Sequence, residues 1–232
     1  MSLIGKRPLR LLFCFGTFAA IVVLVNKSLF FRSKWPSVRF SDPVSCTMTE
    51  DVRQNLMKWG SNVHQILDVL KIDHFLCYGT LWGLLRNAAL LPWERNFDLC
   101  VMNENISMYD YVYLYREFRK YGLKMQYSSS FGVYTLEPYE LSASAFQHNV
   151  QIKLYVFEKL PQVDSVRRVG FLHRVQPPND ENSDAFPEFL IAPPLPFAKL
   201  GDIKFPVPHE NIEIQKYHYK KDWWLEVKPA GC

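Results

Sequence analysis

Neither of the two glycine-rich phosphate cradles, the P-loop and the Gly-x-Gly-x-x-Gly fingerprint, occurs in this sequence. Nucleotide binding of the P-loop or dinucleotide type is therefore excluded in its usual form. There is no Cys-x-x-Cys, and the six histidines (His64, His74, His148, His173, His209 and His218) form no i, i+4 pair around a Glu. Zinc is therefore not expected. A Gly-x-Ser-x-Gly elbow is missing as well, which argues against an ordinary serine hydrolase. The formal charge of +4 hides a further absence. Five of the 27 basic residues lie in residues 1–33, which hold no acid, leaving 22 basic against 23 acidic residues elsewhere. A near-neutral remainder without a basic stripe is not a nucleic-acid binder.

What is present begins with an apolar run, Leu11–Val25, preceded by Lys6, Arg7 and Arg10. It is short for a span of ~20 residues, but Leu29, Phe30 and Phe31 extend it, and no small-x-small cleavage site follows. The expectation is a signal anchor in residues 1–33, a linker in 34–48 and one domain in 49–232. Basic residues flank the run on both sides, so charge does not set the orientation. The sequon Asn105-Ile106-Ser107 is usable only in the lumen. Four cysteines beyond the anchor, Cys46, Cys77, Cys100 and Cys232, allow one or two disulfides without indicating their pairing. Together these point to a single-pass protein of the endoplasmic reticulum or Golgi with a lumenal domain.

Within the domain, Val52, Leu56, Trp59, Val63, Ile66 and Leu70 recur at helical steps, predicting an amphipathic helix over Thr49–Lys71 capped by Thr47 or Thr49. A strand is expected at His74–Tyr78, a helix at Thr80–Leu90 stopped by Pro92, and a strand at Phe97–Met102. A second amphipathic helix, Ile106–Tyr121, precedes strands at Leu123–Tyr127, Gly132–Leu136 and Val150–Phe157. Pro177–Asp184 reads as a loop. Short strands around Phe197 and Phe205 and a helix from His209 to Tyr219 complete the chain. Early helices followed by a partly antiparallel sheet predict an α+β, or mixed α/β, domain.

The chemistry concentrates between Tyr78 and Leu99. A strand feeds Gly79-Thr80, where a helix begins; glycine permits close approach, threonine suits a cap, and free N–H groups favour an anion. Beyond the Pro92-Trp93 turn, Asn96 and Asp98 stand two apart on a strand, on one face, where both could reach a metal ion. Taken singly, Gly79-Thr80 is an ordinary helix start, Arg86 a solvated charge and Asp98 a strand-end residue. The joint spacing is what singles them out.

This window resembles the LicD/fukutin family of phosphotransferases. Gly79, Thr80, Leu81, Gly83, Arg86, Pro92, Trp93 and Asp98 match its Gly-Thr-Leu-Leu-Gly … Arg … Pro-Trp-Asp-Asp-Asp-hydrophobic-Asp pattern. Val207-Pro208 and the Tyr-rich segment ending at Asp222-Trp223 resemble its closing segment, so the likeness runs from about Val52 to Trp224. The resemblance implies a DNA polymerase β-type nucleotidyltransferase fold. It also implies Mg²⁺ or Mn²⁺, a CDP-alcohol donor and a glycan acceptor that receives phosphocholine or a pentitol phosphate. On that expectation Asp98, with Glu94 or Asn96, is catalytic, and Asp98 and Asn96 hold metal. Gly79, Thr80, Arg86 and Lys153 hold the donor phosphates. The sequence departs from the pattern at three acidic positions: Arg95 and Asn96 stand in the acidic run, and Lys153 stands where a third carboxylate is expected, Glu137 and Glu158 being the nearest alternatives. A catalytically inactive member serving as a binding or scaffold subunit in glycan modification is the alternative reading.

Overall fold

A computed structural model describes residues 46–139, 150–175, 184–229 and 232. The expected anchor, residues 1–33, and most of the linker lie outside the described residues. Among the described residues no helix is long and apolar enough to cross a membrane.

Helix α1 (Glu50–Val69) starts where expected: the Thr49 side chain accepts from the Val52 N–H, and Glu50 and Asp51 sit in the first turn, complementing the helix dipole. Val52, Leu56, Val63, Ile66 and Leu67 form its buried face. Gly60 lets this helix press onto the sheet, since a Cβ there would lie 2.5 Å from the Phe97 ring. Strand β1 (His74–Leu76) leads into α2 (Tyr78–Asn87), and β2 (Asn96–Met102) follows. Helix α2 ends at Asn87, three residues before Leu90, because Ala88 takes a left-handed conformation and its N–H caps the Gly83 and Leu84 carbonyls. Pro92 is not what stops it.

The single helix expected over Ile106–Tyr121 is two pieces, a turn α3 (Asn103–Ile106) and α4 (Tyr111–Lys120). Asp110 makes the break, its carboxylate accepting from the Val112 and Tyr113 N–H groups and thereby starting a new helix. Strands β3 (Leu123–Ser128), β4 (Val133–Pro138) and β5 (Gln151–Leu160) follow, then β6 (Ser165–Arg168), a turn α5 (Phe171–Arg174) and β7 (Ala185–Pro187). Strands β8 (Phe197–Leu200) and β9 (Ile203–Pro206) form a separate hairpin before α6 (Asn211–His218).

The main sheet runs β1-β2-β5-β4-β3, with β6 pairing the outer half of β5 and β7 pairing β6. Because β5 carries β4 along one half of its edge and β6 along the other, the sheet curls around it. Among the described residues only the β2–β5 pair is parallel. This is a mixed α+β domain. Alternation along β2 and β5 divides the chemistry from the core. Phe97, Leu99, Val101, Ile152, Leu154 and Val156 turn to the buried side with α1. Asn96, Asp98, Lys153 and Tyr155 occupy the other face.

Two disulfides join the four cysteines, Cys46 to Cys232 and Cys77 to Cys100. The first ties the start of the described domain to its last residue. The second staples the N-cap of α2 to β2.

Candidate functional site

The site forms where β1 turns into α2. Tyr78 adopts a left-handed conformation (φ 46°), so the chain reverses sharply after Cys77 and aims the first turn of α2 at β2. The Gly79 N–H donates to Asp98 Oδ2 at 3.2 Å. A Cβ on Gly79 would sit 2.0 Å from Glu94 Oε2 and 3.3 Å from Asp98 Oδ2, so glycine is what admits both carboxylates here. Thr80 is not the cap expected of it. Cys77 is the N-cap, and Thr80, fully buried in the helix, accepts the Asp98 N–H at 2.7 Å. Its hydroxyl locks the helix to β2 and is turned away from solvent.

Asp98 is only 4% exposed, and its Oδ1 makes no hydrogen bond of acceptable geometry to any described residue. Burial lifts its carboxyl to about 6, against the downward pull of Lys153, the Gly79 N–H and the nearby Tyr155 hydroxyl. Glu94 Oε1 accepts the Arg95 and Asn96 N–H groups at 3.1 and 3.2 Å, which leaves Oε2 facing Gly79. Burial and then the neighbouring Asp98 push Glu94 up to about 7. Two buried carboxyls, both lifted by burial and Glu94 further by Asp98, with one oxygen lacking a hydrogen bond of acceptable geometry, are an array that accepts a proton or a cation.

Lys153 lies directly across from Asp98 in the parallel β2–β5 register, with Thr135 of β4 on its other side. Its charge lowers both Asp98 and Glu94. Neither alternative carboxylate reaches this point. Glu137 accepts from the Gln151 amide at 2.7 Å, and Glu158 is held by Arg167 and Arg174 at 2.8 and 2.6 Å. Asn96 opens β2 on the same face as Asp98, opposite Gln151. Arg86 is at the far end of α2, stacked on Trp82 at 4.4 Å and donating to the Leu225 carbonyl at 2.7 Å. The structure thus brings together Gly79, Thr80, Glu94, Asp98 and Lys153, and leaves Arg86 apart from them. Asn105, on α3, is half-buried at a different place, lining a cavity beside Asp73 and Glu104.

Beside the carboxylates stands a cluster that the sequence does not single out. Arg168 lies 4.5 Å over the Tyr155 ring and 3.5 Å from Asp184 Oδ2. The Tyr78 hydroxyl donates to the same Asp184 oxygen, and His218 Nδ1 lies 3.1 Å from Oδ1. Burial works against ionised Asp184, but hydrogen bonding to His218, the charge of Arg168 and the Tyr78 hydroxyl hold it well below the usual carboxylate range. Gln215 of α6 donates to the Tyr78 carbonyl at 2.9 Å and supports the reversed turn. Rings of Tyr78, Tyr155 and His218 pack at 4.0–4.4 Å around this knot. Of these, Tyr155 was legible in principle, two residues beyond Lys153 on one strand face. Arg168, Asp184 and His218 arrive from segments with no local motif.

The arrangement is an acidic pair able to hold a cation, bordered by two fixed cations, Lys153 and Arg168, suited to phosphate oxygens, and by an aromatic wall. No curated protein sequence matches the chain. A family model described as the nucleotidyltransferase domain of LicD/FKTN/FKRP matches residues 71–210, a span that contains every residue of the acidic pair and its cationic border. The match covers more than half of the chain, which therefore belongs to the LicD/FKTN/FKRP family and carries a phosphotransferase-like domain.

Proposed function

We propose that this domain transfers a phospho-alcohol, phosphocholine or a pentitol phosphate, from a CDP-activated donor to a glycan. In this reading it has a polymerase β-type nucleotidyltransferase arrangement and works in the lumen of the endoplasmic reticulum or Golgi, tethered by a single span near the N-terminus. The observation that carries the reading is the Glu94–Asp98 pair, packed against Gly79 with Asp98 Oδ1 unpartnered. Buried acids left in this state fit a divalent ion, Mg²⁺ or Mn²⁺. Glu94 and Asp98 would hold it, and Asn96 would add at most a neutral oxygen. Such an ion supplies charge neutralisation at a diphosphate. The chain's own residues do the rest: Lys153 and Arg168 orient phosphate oxygens by charge, and the Tyr78–Asp184–His218 knot keeps that wall rigid. Lys153 opposite Asp98 leaves carboxylates for one ion, not two.

That same lysine favours a second reading, in which the fold binds a nucleotide-linked ligand without turnover. Binding of CDP-choline and of a CDP-pentitol to the purified full-length chain, with and without Mn²⁺, separates the two. Binding that requires Mn²⁺, is lost in Asp98→Asn and accompanies transfer to a glycan supports the transferase. Metal-independent binding without transfer supports the inactive member. No binding under either condition overturns both.

A further inference from the structure

On the face of the sheet covered by α1, opposite the one that carries Asp98, three side chains converge that take no part in the reading above. His64 and Asp68 lie one turn apart on α1, and His74 opens β1; one ligand atom from each falls within 4.8 Å of the others. His74 Nδ1 is 2.8 Å from the Ile72 carbonyl and must donate to it, which leaves the Nε2 lone pair free. That Nε2 lies 2.6 Å from His64 Nδ1. The remaining nitrogen, His64 Nε2, lies 3.5 Å from Asp68 Oδ2, and the Lys204 carbonyl is a further acceptor for this ring.

Two neutral imidazoles carry two protons, one held on His74 Nδ1 by the Ile72 carbonyl and the other on either nitrogen of His64. When His64 carries its proton on Nε2, the side of Asp68, the lone pairs of His64 Nδ1 and His74 Nε2 face one another at 2.6 Å, the arrangement that a shared cation would bridge. Both rings are more than nine-tenths buried, and Phe205 packs on His64 at 4.9 Å. We propose that His64, Asp68 and His74 form a zinc site.

The chemistry suits that ion. Two imidazoles and one carboxylate are borderline ligands, and three protein ligands leave a fourth position for water. The Ile72 carbonyl orients His74 in the way backbone acceptors orient metal-bound histidines. Zinc–nitrogen bonds of about 2.0–2.1 Å at a tetrahedral angle would put the two nitrogens roughly 3.3 Å apart, so the rings open by a fraction of an ångström on binding. There is a route in. Asp68 is exposed, and with Asp73 and His74 it lines the end of a 490 Å³ cavity that continues past Glu104 and Lys159. The helix spacing alone did not reveal the site, because its third ligand comes from the following strand.

The test uses the full-length chain purified without chelators, with metal content measured by mass spectrometry and affinity by zinc titration. One zinc per folded chain is expected, and Co²⁺ substitution should give a visible d–d band that titrates to the same stoichiometry. Asp68→Asn, a surface change, and His64→Gln should each weaken zinc binding at least about tenfold, whereas Asp98→Asn should leave it unchanged. If His64→Gln fails to fold, Asp68→Asn decides the matter. Folded wild-type chain that binds no zinc, zinc affinity indifferent to Asp68→Asn, or zinc lost on Asp98→Asn would each overturn the site. None of these outcomes depends on whether the chain binds a CDP-linked donor.

Discussion

Glu94 and Asp98 show how a carboxyl's environment sets its chemistry. In an unfolded chain both ionise near pH 4; here burial carries Asp98 to about 6 and Glu94 to about 7. Between about pH 4 and 7 the native state therefore binds more protons than the unfolded state, and stability falls as pH rises through that window. Asp184 has the opposite sign, its contribution present above the ordinary carboxylate range and lost as pH falls below it. Urea unfolding across pH 4–8 without divalent ions should show the decline, and Glu94→Gln with Asp98→Asn should flatten it. A profile in the double variant identical to the wild type would mean the pair is already ionised. Lys153 permits a second test. At ~4 Å two unit charges interact by about 4 kcal/mol at an effective dielectric near 20, so a lysine opposite Asp98 weakens occupancy by a divalent ion substantially. Asn96→Asp combined with Lys153→Asp should raise Mn²⁺ affinity by more than the product of the single effects, since the positions share an ion. Additive or absent gains in a titration would place the ion elsewhere.

The element on which the site depends is the first turn of α2. It is held by an unusual set of fastenings: the left-handed Tyr78, the Gly79 N–H on Asp98, the Thr80 hydroxyl under the Asp98 N–H and the Cys77–Cys100 disulfide. Helix propensity would prefer alanine at position 79. Packing opposes it, because the added carbon would fall 2.0 Å from Glu94 Oε2 and the carboxylate would have to move aside. Gly79→Ala should therefore cost about 1–3 kcal/mol of stability through overpacking. It should also weaken Mn²⁺ binding by expelling Glu94. Thermal unfolding and metal titration of this variant read the two effects separately. A Gly79→Ala protein as stable and as avid as wild type would show that the two carboxylates have room to spare.

At the scale of the whole molecule, two disulfides fasten the described domain. Cys46–Cys232 closes a loop spanning a sequence separation of 186 residues, and Cys77–Cys100 one of 23. Loop-closure entropy gives the longer bridge roughly 5 kcal/mol and the shorter roughly 3 kcal/mol. Replacing each pair by serine should lower the denaturant midpoint in that order, and a larger loss from the short bridge would show that stapling α2 to β2 outweighs chain entropy. Two such bonds suit an oxidising compartment. The full-length protein is accordingly expected to remain with membranes after carbonate extraction, with its domain protected from protease in intact vesicles. Release of a soluble form lacking the first ~28 residues would identify the apolar run as a cleaved signal.

Elements whose information is local could be read directly from the chain. The apolar spacing of Val52, Leu56, Val63 and Ile66 specified α1, and the alternation of β5 put Lys153 and Tyr155 on the face opposite Ile152 and Leu154. The passage from Gly79 to Asp98, twenty residues of helix, turn and strand, was legible because its partners are neighbours along the chain. Even there some details changed: Thr80 is a buried fastening instead of a cap, and Arg86 points to Trp82 and Leu225; Glu94, one of the two expected partners of Asp98, is the residue that reaches Gly79. Long-range packing alone set the pairing of the cysteines, the meeting of Arg168, Asp184 and His218 behind Tyr78, and the triad of His64, Asp68 and His74. Side-chain periods of 2.0 and 3.6 residues encode which way a residue faces within its own element. Which faces then meet depends on strand order, on the curl of the sheet around β5 and on a left-handed turn at Tyr78, and no period in the sequence records these.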